Sequence, residues 1–474
     1  MTTAPSTRTR LLALTVLALL LRMFALGSKG LWQDEVFSVL FARPSNPDFW
    51  PILKTAEANM ALYYIALRQW MHFFTTDSGV RALSVIPGVL TVPAIYALGA
   101  RLYSRRSGFW AAALLTVNAC AVVYSQEARG YSLLVLFVAL SYWAFLRVIE
   151  RPSPFHVALY VAVTICAFYS HFYAIFVILA QVCSLAVLPA HQRPWKGLLT
   201  SWLIIAIAAI PGLRVVLLSH GSNLWWLPRP GLLEIYRTLT FLAAENGKAV
   251  GGILAGLLLV PIGFAICNAW TVWRSQHQSQ VAFQAAFAAL AFLVPLVATM
   301  LLSLWRPMFF HRFLIICLVP FLLLAAAGLD HLRHRKSAIA LALLILALSG
   351  VATAMSYRKV REDWRGAAAF TLTAPDAPVL FYIKDAAAPF SYYRERLGRP
   401  LNPDQVIRLE APPSSNDLAT WATQFPHLWL VTFPTNDQRV THAIESQYHL
   451  CSQAQVKAVT ITEWSKSSCK PIPL

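Results

Sequence analysis

Long apolar runs separated by short arginine-bearing loops fill the chain as far as about Met355. After Leu11–Leu26 the runs lie at about Val80–Leu102, Gly108–Tyr124, Tyr131–Ile149, Phe155–Ser170 and Phe172–Pro189. They continue at Leu198–Ser219, Ala249–Trp273, Val281–Leu304, Phe313–Leu329 and Ser337–Met355. Crossing a bilayer takes about 20 apolar residues, so this pattern predicts about eleven membrane helices. Ala61–Phe74 is shorter and contains Arg68 and Gln69, which predicts an amphipathic helix lying on the membrane surface. The period changes after Ser356. Pro378–Ile383, His427–Phe433 and Val456–Trp464 read as strands, and helical patterns at Glu362–Leu372, Asn416–Gln424 and Asp437–Tyr448 separate them. The expected architecture is a polytopic α-helical membrane domain, residues 1–355 with a first outer loop at 27–79, followed by a small α/β domain at 356–474.

Composition sharpens this picture. The chain is 58% hydrophobic and 13% charged, with a mean hydropathy of +0.57, far from a soluble globular composition. A net charge of +18 would suit a nucleic-acid partner if it were clustered on one surface. The basic residues recur instead in tight loops between spans, which is the membrane-orientation signal and argues against nucleic acid. With Arg8 and Arg10 cytoplasmic, the inside loops carry Arg101, Arg105 and Arg106, then Arg147 and Arg151, then Arg193 and Lys196. Arg274 and the cluster Arg333, Arg335 and Lys336 follow on the same side. Counting Ala61–Phe74 as a span would invert every later loop, so charge register lays that helix on the outer surface. The first apolar run has no convincing small-x-small cleavage site and reads as a retained helix.

The C-terminal domain is then extracytoplasmic, where Cys451 and Cys469 suit a disulfide. The other five cysteines lie inside apolar runs and read as packing residues. The cytoplasmic loops are too short to form a domain, so any chemistry belongs to the outer face.

Asp34 and Glu35 are adjacent carboxylates immediately after the first helix, in a chain with only 21 acidic residues. Neighbours diverge by about 100° on a helix and point to opposite faces of a strand, so one of the two faces a given reacting centre. Spacing alone does not say which. Glu57 and Asn59 open the surface helix and are candidates for a polar ligand or a divalent cation, with metal dependence left open. Tyr63 and Tyr64 suit either substrate contact or interfacial anchoring. Glu127, Arg129 and Tyr131 occupy a tight outer turn, where substrate binding competes with a structural acid–base contact. His171 stands at an outer helix end, a position more often filled by a satisfied polar residue than by a ligand. Arg306, His311 and Arg312 concentrate positive charge on the outer side, and guanidinium matches phosphate bidentately. Arg81, Arg229, Arg237 and Lys248 are weaker candidates of the same kind.

These stretches form an ordered set: Asp34-Glu35, Leu62-Tyr63-Tyr64, Val80-Arg81-Ala82-Leu83-Ser84-Val85-Ile86-Pro87-Gly88, Tyr124-Ser125-Gln126-Glu127-Ala128-Arg129-Gly130-Tyr131-Ser132 and His311-Arg312-Phe313-Leu314. In this order the chain resembles the GT-C glycosyltransferases related to bacterial protein O-mannosyltransferases and to the lipid A aminoarabinose transferase. The resemblance covers about residues 9–330, and Asp363-Trp364-Arg365 extends it. It implies a polyprenyl-phosphate-linked sugar donor, a lipid, glycan or protein acceptor, and a bacterial inner membrane holding the chain among its lipids. It also implies that Asp34 is the general base of an inverting transfer, with Glu35 orienting it or binding the sugar, and that Arg312 or Arg306 stabilises the departing lipid phosphate. Asn59-Met60-Ala61 stands where that family often has His-Pro-Pro or Asn-Pro-Pro. The rival from another class is a multi-span transporter of a polar or anionic solute, which predicts ionisable groups near mid-membrane and repeated halves. Here the polar candidates gather at helix ends and no repeat is visible.

Overall fold

Each apolar run falls largely on helix in a computed structural model that describes residues 6–218, 227, 229–245, 249–276, 279–359, 361–373, 377–382, 386–433, 438–467 and 469. The chain divides into two compact units, Met1–Leu26 with Ala42–Arg358, and Gly27–Phe41 with Lys359–Leu474.

The first unit opens with α1 (Thr7–Met23), whose N-terminus is capped by the Ser6 side chain. The helix next in the chain, α2 (Gln33–Ala42), belongs as far as Phe41 to the second unit. Two short helices, α3 (Phe49–Thr55) and α4 (Ala61–Trp70), precede the long α5 (Asp77–Leu102). The ten residues of α4 rise about 15 Å, half the hydrocarbon thickness of a bilayer, so this helix cannot span. Next come α6 (Arg105–Val117), α7 (Ala119–Ser125), α8 (Tyr131–Glu150), α9 (Pro154–Ser170), α10 (Ile175–Ser184) and α11 (Trp195–Leu218). The unit closes with α12 (Leu232–Ala244), α13 (Ala249–Ser275), α14 (Gln280–Leu302), α15 (Leu318–His331) and α16 (Arg335–Arg358). Among the described residues, seven helices are long and apolar enough to cross a membrane, or eight if the bent pair α6–α7 is one span. An expected count of about eleven draws also on α1 and α9, at 17 residues each, and on α10 with the 3-10 turn before it. In the outer loop expected at 219–248, α12 is formed, while 219–226, 228 and 246–248, with the candidate Lys248, lie outside the described residues.

The bend between α6 and α7 is 58° and centres on Asn118. Its Oδ1 accepts the Ala121 N–H at 2.9 Å, capping α7, and its Nδ2 donates to the carbonyls of Leu242 and Ala243 at the end of α12. Carbonyls ahead of the bend take side-chain donors. Arg22 donates to Thr116 and Leu115 at 3.2 and 3.3 Å, and Thr353 donates to Val117 at 2.8 Å. Arg22 is fully buried and also donates to Ser125 Oγ at 3.2 Å. The broken helix is tolerated because its backbone groups find partners inside the protein. Close packing at this place also needs Gly88, since a Cβ there would lie 2.1 Å from Ser125 Oγ.

The second unit is a five-stranded sheet with order β2-β1-β3-β5-β4, built from β1 (Val379–Tyr382), β2 (Val406–Leu409), β3 (His427–Thr432), β4 (His449–Val456) and β5 (Val459–Ser465). β1 lies parallel to β2 and β3, and β5 pairs antiparallel with β3 and β4. Leu380, Leu428, Leu430 and Trp464 form a core with α19 (Ser415–Gln424) and α20 (Gln438–Glu445) on one face. On the other face α17 (Trp364–Phe370) sets Phe370 against Trp429, and α18 (Ala387–Arg396) sets Phe390 against Phe381. Strand β3 is therefore buried on both faces, as expected for a continuous apolar run.

A disulfide joins Cys451 to Cys469, as the cysteine pattern predicted. Strands β2 and β4 and helix α18 were absent from the pattern-based reading. Strand β2 has four residues and β4 alternates weakly, both typical of sheet edges, and the buried residues of α18 do not fall on one stripe. Ile383, at the end of one predicted strand, and Asp437, at the start of one predicted helix, lie outside the described residues.

Segment 27–41 belongs to the compact unit formed by the tail, rather than to the body of residues that flank it on both sides. The physical reason lies in its backbone donors: Leu31 N–H donates to Tyr393 Oη at 2.5 Å and Gln33 N–H to Glu362 Oε2 at 2.9 Å. A division at 355/356 follows composition; this one follows hydrogen bonds.

Candidate active site

In the second unit, α2 begins with Gln33, so Asp34 and Glu35 occupy its first turn. Carboxylates are favoured at a helix N-terminus, where backbone N–H groups lack internal partners. Glu35 is fully buried, and its Oε2 accepts the Trp32 N–H at 3.3 Å, closing the start of the helix. Asp34 is half-buried, and its backbone carbonyl accepts Ser38 Oγ at 2.9 Å. The two side chains occupy different environments. Divergence on one helical turn requires this, and it leaves Asp34 as the more accessible carboxylate.

In the first unit, the turn at 126–130 is held from three sides. Gln126 Nε2 donates to the carbonyls of Arg22 and Phe24 at 2.9 and 2.8 Å. Ser84, linked to Tyr63 Oη at 2.9 Å, donates to the Arg129 carbonyl at 3.3 Å, and Ser132 donates to the Ser84 carbonyl at 2.8 Å. Arg129 itself donates to Tyr64 Oη at 3.2 Å. Tyr63 and Tyr64 are buried, which favours a role in holding this turn over interfacial anchoring. Arg81 donates to the Leu26 carbonyl at 3.0 Å.

Arg129 is the cation that sets the local electrostatics. Burial pushes the half-buried Glu57 carboxyl up from its usual range, and the Arg129 charge pulls it partly back. Burial first, then the Arg129 charge, lower His171 to about 3. His171 is therefore neutral, and its Nδ1 accepts the Tyr173 N–H at 3.2 Å, which leaves its proton on Nε2. Asn59 meets the same chain turn, with Oδ1 accepting the Phe172 N–H at 3.0 Å and Nδ2 lying 3.5 Å from His171 Nε2. Asn59 is thereby used as a backbone tie.

Ring contacts connect the remaining candidates into a closed circuit. Tyr124 meets Tyr131 at 5.0 Å, Tyr131 meets His171 at 5.9 Å, and His171 meets Phe313 at 5.1 Å between centroids. Phe313 meets Phe310 at 5.2 Å, Phe310 meets His311 at 4.5 Å, and His311 meets Phe241 at 5.1 Å. Phe241 returns to Tyr124 at 5.5 Å. The Arg312 guanidinium lies 5.7 Å from the Phe310 ring, and Tyr173 Oη donates to the Met308 carbonyl. Stretches around 129, 171 and 311 thus meet at one end of the helices.

Not every candidate joins them. Arg306 is exposed, with no side-chain hydrogen bond or ion pair among the described residues. Arg237 pairs with Glu234 on its own helix at 2.5 Å. Among the described residues no group of three or more His, Cys, Asp or Glu side chains is arranged to hold a metal ion. Pattern reading missed Arg22, Asn118, Glu362 and Tyr393. Arg22 carried one signal, as a lone arginine inside an apolar run.

ArnT from Cupriavidus metallidurans in the apo state shares the fold with a TM-score of 0.59 at 12% identity, over 97% of this chain and 99% of that one. ArnT from the same organism bound to undecaprenyl phosphate gives 0.55 at 12% identity, over 95% and 97%. The oligosaccharyltransferase of Archaeoglobus fulgidus in the apo form gives 0.58 at 10% identity, over 94% of this chain and 73% of that one. No curated protein matches in sequence. The class is thereby defined as a polytopic membrane protein with the GT-C glycosyltransferase fold, as the ordered motifs indicated. Within that class, residues 57–217 match the family model described as dolichyl-phosphate-mannose-protein mannosyltransferase.

Proposed function

We propose that this chain is an integral-membrane glycosyltransferase that moves a sugar from a polyprenyl-phosphate donor to an acceptor hydroxyl on the extracytoplasmic face. The observation that carries the reading is a fold shared with ArnT along nearly the whole of both chains, one of those structures holding undecaprenyl phosphate. A match of residues 57–217 to a lipid-phosphate-sugar-dependent family model supports it from sequence. An apolar groove of about 380 Å³ also fits an isoprenoid chain; Leu53, Ala58, Leu62, Ile165, Tyr169 and Val215 line it.

In the proposed step, the acceptor oxygen forms its bond to the anomeric carbon as its proton passes to the Asp34 carboxylate. The bond from that carbon to the phosphate oxygen breaks, and its electron pair leaves with the polyprenyl phosphate. Attack opposite the leaving group inverts the anomeric configuration. A phosphate needs little protonation to depart, so one base suffices where glycoside hydrolysis uses two carboxylates. Glu35, buried at the helix start, keeps the turn formed. Arg312 or Arg306 holds the departing phosphate, and Arg129, with Glu57 and Tyr64 about it, binds the polar part of the substrate. The protein resides in a bacterial inner membrane with its N-terminus cytoplasmic.

Mass analysis of glycolipids and envelope glycans in cells with and without the protein tests this. The expected result is loss of one sugar increment, restored by the wild-type chain and reduced at least 1,000-fold with Asp34→Asn, on the scale of a missing general base and its electrostatics. An unchanged glycan profile with altered solute uptake overturns it in favour of a transporter.

A further inference from the structure

Glu362 had no role in any reading of the sequence, yet it occupies a junction. Its backbone bridges to Lys457, in the turn between β4 and β5, so it is anchored to the sheet. Its Oε2 accepts two N–H groups, from the Trp364 indole at 2.6 Å and from the Gln33 backbone at 2.9 Å. Gln33 N–H is one of the donors that a helix cannot satisfy internally, and Asp34 is the next residue. The contact links positions 329 residues apart.

Two further ties reach the same turn. Leu31 N–H donates to Tyr393 Oη at 2.5 Å, and the Arg361 guanidinium lies 4.6 Å from the Trp32 ring. Gly30 permits this approach, because a Cβ there would lie 3.3 Å from Tyr393 Oη and 3.4 Å from Arg365 Cβ. Four consecutive residues before Asp34 are thus each met by a residue of the tail. Glu362 is itself nearly buried, and burial raises its carboxyl above the ordinary range against the two N–H groups that stabilise the anion, with the Asp34 charge adding to the rise.

We propose that Glu362 is a positioning residue for Asp34: sheet-anchored and doubly hydrogen-bonded, it fixes the first turn of α2 and so the direction in which the Asp34 carboxylate points. Tyr393 shares the task at Leu31. The inference rests on the reading of Asp34 as base. Without these ties, α2 would begin with unsatisfied N–H groups in a segment of ten residues, too short to hold helix by itself.

The test uses the full chain in lipid nanodiscs, with Glu362→Ala, Glu362→Gln and Tyr393→Phe. Hydrogen exchange of amides 33–41 is expected to quicken about tenfold or more in Glu362→Ala and in Tyr393→Phe, with β3 protection unchanged. Glu362→Gln keeps a side-chain oxygen that accepts Gln33 N–H, and is expected to restore most of the protection. Binding of undecaprenyl phosphate is expected to stay within twofold of wild type. The glycan product in cells is expected to fall 10- to 100-fold for Glu362→Ala and to recover with Glu362→Gln. Unchanged exchange at 33–41 in both Glu362→Ala and Tyr393→Phe overturns the proposal. So does full product yield from a Glu362→Ala chain whose α2 has loosened. Should Asp34→Asn remain active, the base assignment falls and the positioning role with it; an inactive Asp34→Asn beside a fully active Glu362→Ala removes the positioning role alone.

Discussion

His171 shows how little a residue's identity says until its surroundings are known. In the sequence it is an ordinary histidine at a helix end. In the structure burial and the charge of Arg129 hold it neutral, its pKa about 3, while its ring caps the turn that follows. Because the folded value lies below the unfolded 6.5, the unfolded chain binds the proton more readily. The stability His171 contributes is therefore present above pH 6.5 and lost as pH falls from 6.5 toward 3. Glu57, whose carboxyl is raised, acts in the opposite sense: its contribution is present at low pH and lost as pH rises through its folded pKa. Substituting His171→Asn keeps an accepting oxygen and removes the titration. Its melting temperature is expected to change less than that of wild type between pH 6.5 and 4, as followed by thermal unfolding in detergent. The Asp34 and Glu35 pair was legible as chemistry for a simple reason: two carboxylates are conspicuous where acids are scarce. That one of them turns inward to close α2 depends on the fold of the turn.

At the scale of elements, the bend between α6 and α7 is the feature that shapes the helix bundle near the candidate residues. Breaking a membrane helix frees carbonyls and N–H groups that lipid cannot satisfy; Arg22 and Thr353 donate to the carbonyls, and Asn118 accepts the Ala121 N–H. Arg22→Met retains much of the side-chain volume but leaves the carbonyls of Leu115 and Thr116 without their donor. It is expected to cost about 2–6 kcal/mol, from roughly 1–3 kcal/mol for each of the two buried groups left unpaired. Thermal or denaturant unfolding of the purified chain measures this, and a stability within 0.5 kcal/mol of wild type, about the effect of a surface substitution, would show that the bend does not depend on Arg22. That α4 is too short to span was readable, because its apolar run is brief and interrupted by Arg68 and Gln69. The edge strands β2 and β4 were not, because a strand with one unpaired side need not carry an apolar alternation.

For the whole molecule, the disulfide and the basic loops make a joint statement about compartment. A bond between Cys451 and Cys469 forms and persists in an oxidising environment, whereas the proposed topology puts the loops rich in arginine on the cytoplasmic side. Both hold if the chain crosses the membrane an odd number of times before its tail. Cys451→Ser with Cys469→Ser is expected to destabilise the second unit by about 3 kcal/mol, the chain-entropy value for a loop of this order. Calorimetry is expected to show this as a lowered transition for that unit with the helical unit unaffected. A single transition lowered for both units at once would mean that the two units unfold together.

The sequence by itself determined where the long apolar helices lie, which short helix cannot span, and which residue types gather near the helix ends. Those properties are local: hydropathy over some twenty residues, and the sign of the charge between runs, decide them without reference to the rest of the chain. The ordered motifs added the class of fold. Only the tertiary structure decided that residues 27–41 join the tail, that Glu362 and Tyr393 hold the turn before Asp34, and that Tyr131, His171 and His311 share one circuit of rings. Each of these is a partnership between groups far apart in the chain, and a periodicity reports that a face is buried without saying against what. The Asp34 turn is the clearest case, because its residues announce their chemistry locally while their geometry is supplied from more than three hundred residues away.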